Sequence, residues 1–156
     1  MLQRRDAPWL LLSQSLATLP ATRERARDPA EAFATLGGFS AAVAAVEAAL
    51  FTHDGRQVAP GDADVVAATL LATRATQPGD GYVPLSFLAT SPDVATPASW
   101  REQLLRDWPQ ACASTRPRQL WASLASARLR RTDPALPLSS WRALMVAWRG
   151  ARATRN

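Results

Sequence analysis

Ser140-Trp141-Arg142-Ala143-Leu144-Met145-Val146-Ala147-Trp148-Arg149-Gly150-Ala151-Arg152 is the stretch that decides the fold. At about 100° per residue, Trp141, Leu144, Met145 and Trp148 fall on one face of a helix. Arg142 and Arg149, seven apart, share the flank beside it, and Arg152 follows one turn later. The reading is an apolar keel turned to the core with an arginine rail alongside.

Working outward, the same grammar recurs. Asp6-Ala-Pro8, Asp28-Pro29, Thr96-Pro97 and Asp133-Pro134 each set a capping side chain beside a proline, whose missing N–H costs nothing in a first turn. The twelve prolines therefore divide the chain into short helices. Helices are expected near 8–19, 29–36, 40–52, 62–76, 97–108, 117–131 and 139–153. Gly37-Gly38 is expected to close the second, and Asp62 to cap the one that follows it by accepting from backbone N–H groups. Val43, Val46, Leu50 and Phe51 form the expected core stripe of 40–52; 62–76 carries Val65, Val66, Thr69, Leu70 and Leu71, β-branched in part, but its length and cap favour helix. In 97–108, Trp100, Leu104 and Trp108 follow i, i+4, i+8 spacing and read as core. In 117–131, Leu120, Trp121 and Leu124 are expected to face inward. Extended signals are confined to Arg56–Ala59 and Tyr82–Leu85, both cut short by proline. The expected fold is all-α, a compact bundle of six or seven short helices.

Residues 77–81 (Gln-Pro-Gly-Asp-Gly) and 90–97 read as linkers, and the charge changes sign just after them. Residues 100–156 hold eleven of the eighteen arginines against three acids, a net of +8; residues 1–99 hold seven arginines against ten acids, a net of −3. The expected organisation is an acidic helical lobe over 1–95 and a basic, tryptophan-rich lobe over 96–156, or one continuous domain. Ser99-Trp100-Arg101 and Ser140-Trp141-Arg142 open two similar helices, an echo of the kind that arises by chance.

Every basic side chain other than the one histidine is arginine, a planar fork that pairs with phosphate in two-point fashion and stacks on rings. A field this lopsided favours a polyanionic partner. The candidate nucleic-acid contacts are Arg118, Arg128, Arg130, Arg131, Arg142, Arg149 and Arg152. For Arg128, Arg130 and Arg131 the negative end of the helix dipole is a competing, structural reason.

Several classes lack their residues. Cys112 is the single cysteine, so neither a disulfide within the chain nor a cysteine zinc site can form. His53 is the single histidine and reads as a helix end before an Asp-Gly turn. Gly37-Gly38 has neither the lysine nor the strand of a phosphate loop. Asp62-Ala-Asp64 could hold magnesium, but capping explains Asp62 better. Trp9–Leu12 is too short for a secretory core, and no stretch was expected to reach membrane-spanning length. The expectation is a cytoplasmic protein without catalysis, metal, cofactor or small-molecule substrate.

Arg118-Gln-Leu-Trp-Ala-Ser-Leu-Ala-Ser-Ala-Arg-Leu-Arg-Arg131 followed by Leu136-Pro-Leu-Ser-Ser-Trp-Arg-Ala-Leu-Met-Val-Ala-Trp148 resembles the end of the small helical subunit of Cascade-type CRISPR surveillance complexes. The match consists of a basic helix, a proline-containing turn and a helix with Trp141, Leu144 and Trp148. The resemblance implies an all-helical, non-catalytic subunit of an antiviral defence complex that holds DNA or RNA backbone without reading sequence. It implies Arg118, Arg128, Arg130, Arg131, Arg142 and Arg149 as contacts and other protein subunits as partners. The alternative is an adaptor module whose arginines pair with an acidic protein.

Overall fold

The computed structural model describes residues 8–19, 25–51, 58–79, 81–90, 96–110 and 113–153. Seven α-helices occupy them: α1 (Trp9–Ala17), α2 (Pro29–Phe51), α3 (Asp62–Arg74), α4 (Leu85–Thr90), α5 (Thr96–Arg106), α6 (Arg116–Leu129) and α7 (Ser140–Ala153). No strand occurs among the described residues. The all-α expectation holds, although the seven helices are not the seven expected.

The largest difference is α2. Helices 29–36 and 40–52 are one element that runs straight through Gly37-Gly38. Two interior glycines cost about 1 kcal/mol each relative to alanine, and burial outweighs that. The helix packs against both α1 and α3: Ala44 and Glu47 share an enclosed node with Val66 of α3 and Arg118 of α6, and Ala42 and Val46, on the opposite side, are buried as well. Small side chains make this core face, with Ser40, Ala42, Ala44, Val46 and Ala48 buried; the expected stripe fails at Leu50 and Phe51, which are exposed. The start of α2 follows its sequence signal. Asp28 Oδ1 accepts from the Glu31 amide at 2.9 Å, and the Glu31 carboxylate accepts from the Arg27 amide. The expectation on membrane-spanning length is also overturned. The merged helix has 23 residues and an 18-residue window of mean hydropathy 1.6, enough by length and composition to cross a bilayer.

A Cβ added at Gly37 or Gly38 would meet nothing within 4 Å, and neither residue has positive φ. Gly37→Ala with Gly38→Ala is therefore expected to stabilise the fold by about 1–2 kcal/mol, through helix propensity alone. A raised urea midpoint with an unchanged slope is the check.

Helix α3 is the central element. Val65, Val66, Ala68, Thr69 and Leu71 are buried, and it packs on α2, α5 and α6. Its threonines satisfy themselves locally: Thr69 Oγ1 donates to the Val65 carbonyl at 2.6 Å and Thr73 Oγ1 to that of Thr69 at 2.8 Å. Asp62 does not cap it. The N-cap is Gly61, in the left-handed region at φ 92°, and Asp62 turns its carboxylate backward and across. It accepts from the Ala59 amide at 3.0 Å, from the Ser114 amide at 2.9 Å and from the Ser114 hydroxyl.

The main core joins Ala32 of α2 and Leu71, Ala72 and Ala75 at the end of α3 to Val83, to Trp100 and Leu104 of α5, and to Leu129 of α6. It crosses the lobe boundary expected near residue 95. Trp100 is 1% exposed and its ring meets Phe87 at 5.6 Å between centroids. The Trp100, Leu104, Trp108 stripe is core as expected, with Trp108 half-buried between this cluster and a smaller one of Val65, Ala113 and Ala122. The stretch after the 77–81 linker is sewn down: the Leu85 and Ser86 amides donate to the Ala26 and Arg27 carbonyls at 2.9 and 2.8 Å. It then forms the unexpected helix α4. His53 and Cys112 lie outside the described residues, as does the cap expected at Asp6.

Candidate nucleic-acid interface

Helices α6 and α7 form a hairpin that holds all seven candidate arginines. The start of α6 is written locally. Thr115 is its extended N-cap, its hydroxyl accepts from the Arg118 amide at 3.4 Å, and Pro117 occupies the first turn. At its far end Asp133-Pro134 does not begin a helix. Asp133 Oδ1 accepts from the Ala135 amide at 3.0 Å, making a turn, and α7 begins only at Ser140.

The two helices meet through small residues. Gly150 is buried, and a Cβ there would lie 2.6 Å from Ser123 Oγ and 3.1 Å from its Cβ. Ala143, Val146 and Ala147 share this side of α7. The large apolar side is thereby turned away from α6. Trp141 is 71% exposed, Leu144 59% and Trp148 49%. The expected inward keel is thus an outward one, because the helix that covers α7 sits on its small-residue face. Trp121, also expected inside, is exposed as well; Ala122 and Leu129 make the inner side of α6.

The seven arginines separate into two sets. Three are engaged by the protein itself. Arg118 makes a two-point ion pair with Glu47 of α2, Nε to Oε2 at 3.0 Å and Nη2 to Oε1 at 2.5 Å, with side chains only 12% and 19% exposed. Its guanidinium is satisfied by an internal carboxylate, which corrects its place among the contacts. Arg128 donates to the Pro134 and Ala135 carbonyls, both at 2.8 Å, and Arg131 to that of Pro137 at 2.9 Å. These two hold the α6–α7 connection in shape. Their acceptors are loop carbonyls beyond the helix end.

Arg130, Arg142, Arg149 and Arg152 form the second set, all exposed. Arg130, Arg142 and Arg149 line one groove between α6 and α7, about 740 Å³ in volume, together with Trp141, Gln119 and Ser126. An adjoining recess is bounded by Arg130, Arg131, Asp133 and Arg142, so Asp133 offsets part of the charge at that end. None of the three groove guanidinium groups has a carboxylate or hydrogen-bond partner among the described residues, and no acidic residue follows Asp133 in the chain. Arg152 instead lies over the Trp148 ring, its Cζ 3.9 Å from the centroid.

The arrangement is a positive groove with an aromatic wall, suited to holding a polyanion by forked hydrogen bonds. Trp141, assigned to the core by its spacing, is the groove residue the sequence reading missed. The available signal was the second stripe on α7, where Ala143, Ala147 and Gly150 mark a face made for close helix approach. Among the described residues no group of three or more His, Cys, Asp or Glu side chains could hold a metal ion. No family model matches the chain, and no curated protein or solved structure matches it.

Proposed function

We propose that this chain is a non-catalytic helical subunit that grips nucleic-acid backbone without reading sequence, along the α6–α7 groove. The supporting observation is the convergence of Arg130, Arg142 and Arg149 on one groove with no acid along α7. The resemblance of residues 118–148 to the small subunit of Cascade-type complexes makes that subunit the specific candidate. Membership of a larger assembly has separate support in helix α1. Helix α1 has no charged residue and leaves Trp9, Leu10, Leu11 and Leu16 exposed, the composition of a face for a protein partner.

The test is the salt dependence of binding to an oligonucleotide of arbitrary sequence. Three phosphates neutralised give a log–log slope of about −2 to −3. A slope near zero, or no binding at low salt, would sink the reading. One observation favours a second reading, an adaptor for an acidic protein: tryptophan and arginine exposed together are the usual composition of an interface hot spot. On that reading the protein purified at low salt keeps a protein-like absorbance ratio and does not retain oligonucleotide.

A further inference from the structure

We infer that the α6–α7 site takes unpaired strands, with Trp141 and Trp148 as stacking platforms for bases whose phosphates the groove arginines hold. The inference rests on the backbone-binding reading above and goes beyond it, since arginines alone grip paired and unpaired strands alike.

Three observations lead to it. Trp141 is 71% exposed and lines the same groove as Arg130, Arg142 and Arg149, so an aromatic face and the phosphate-binding forks open onto one space. Trp148 lies two turns along the same side of α7, about 10 Å from Trp141 at 1.5 Å per residue. The arginines at 142 and 149 repeat at that same interval on the adjoining flank. Platform and fork thus occur twice in register, an arrangement that serves a strand running along the helix. Finally, Arg152 lies over one face of the Trp148 indole, a cation beside a ring that is 49% exposed. In a duplex the base faces are stacked on one another and out of reach; the grooves offer only edges. An exposed indole beside a cation therefore gains from an unpaired base and gains little from a paired one. Stacking tolerates any base, because every base has a π-face, so the absence of sequence reading is kept.

The same composition also suggests an anionic membrane surface, since Trp141, Leu144 and Trp148 line one side of an arginine-bearing helix. Two features favour the strand. Arg130, the C-cap residue of α6, and Arg142 of α7 both line a concave groove, whereas a bilayer presents a plane. Trp141 forms part of that groove's wall and is not at the crest of an isolated helix.

The experiment uses the whole chain and three fluorescent probes of equal length at one low salt concentration: oligothymidylate, an abasic strand with the same backbone, and a duplex. Oligothymidylate is expected to bind at least tenfold more tightly than either of the others, with quenching of tryptophan emission. Trp141→Ala is expected to remove most of that preference while abasic-strand binding and the salt slope stay put; Trp141→Phe restores it. At 71% exposure the alanine variant has no core contact to lose, and an unchanged urea midpoint verifies this. Equal affinity for all three probes, or a Trp141→Ala variant that keeps the preference, overturns the stacking inference and leaves the backbone reading standing. Binding to none of them sinks both. Partition onto phosphatidylglycerol vesicles with a blue-shifted emission, and no oligonucleotide bound, overturns both in favour of a lipid surface.

Discussion

Arg118→Ala is expected to lower the free energy of unfolding by about 3–5 kcal/mol, the largest loss of any arginine substitution among the described residues. The reason is what it leaves behind. Glu47 is 19% exposed and faces Arg118 with both carboxylate oxygens. Its neighbours in the same enclosed node are Ala44, Val66 and Asp62, which is already occupied with Ser114. With the guanidinium gone, a carboxylate is buried without compensation. For a chain of this length the loss corresponds to a fall of roughly 6–20 °C in melting temperature. Replacing both partners, Arg118→Met with Glu47→Leu, is expected to recover most of the loss, because a buried ion pair is often no better than an apolar pair of similar volume. Urea unfolding of the two single variants and the double gives the coupling energy directly. A single variant within about 0.5 kcal/mol of the parent would show that the pair contributes nothing. On the proposed reading, the same series separates two meanings of weakened binding: an Arg118 variant is expected to bind less only insofar as it is unfolded.

Removing Arg130, Arg142 and Arg149 together is expected to act in the opposite way. All three are exposed and lack partners among the described residues, so the urea midpoint should hold within about 0.5 kcal/mol. Binding should fall about a hundredfold or more at low salt, and the log–log slope should lose about 2 to 3 units, one contact per arginine. Arg74 and Arg106, exposed on α3 and α5 and away from the groove, provide the control pair. Their joint replacement removes the same kind of charge and should move the slope by less than one unit. If the control pair weakens binding as much as the groove set does, net charge and not the groove is responsible.

Much of the fold is legible where the deciding interaction lies within a few residues. Asp28 and Glu31 mark the start of α2, and Thr115 with Pro117 marks that of α6, because a cap and the N–H it satisfies are three residues apart. Trp100 and Leu104 read as core because their spacing leaves α5 a single large apolar side. Legibility ends where the deciding partner is distant. The glycines at 37 and 38 are a local stop signal that burial against α1 and α3 overrides. Asp62 has the local form of a cap, yet its carboxylate is claimed by Ser114, 52 residues on. Arg118 looks like the other arginines of its segment, and only the position of Glu47, 71 residues earlier, gives it an internal partner.

The two similar helix openings state the division most directly. Ser99-Trp100-Arg101 and Ser140-Trp141-Arg142 share their residues, and both begin where a helix was expected. The helical state, the apolar side of each helix and the concentration of arginine in the carboxy-terminal third follow from the chain alone, because propensity, periodicity and charge are properties of neighbouring residues. Which side of each helix finds cover is a property of the whole assembly. In α5 the tryptophan side meets Phe87 and the central core; in α7 the alanine and glycine side permits the closer approach to α6, and the tryptophans are left to the solvent and to the groove.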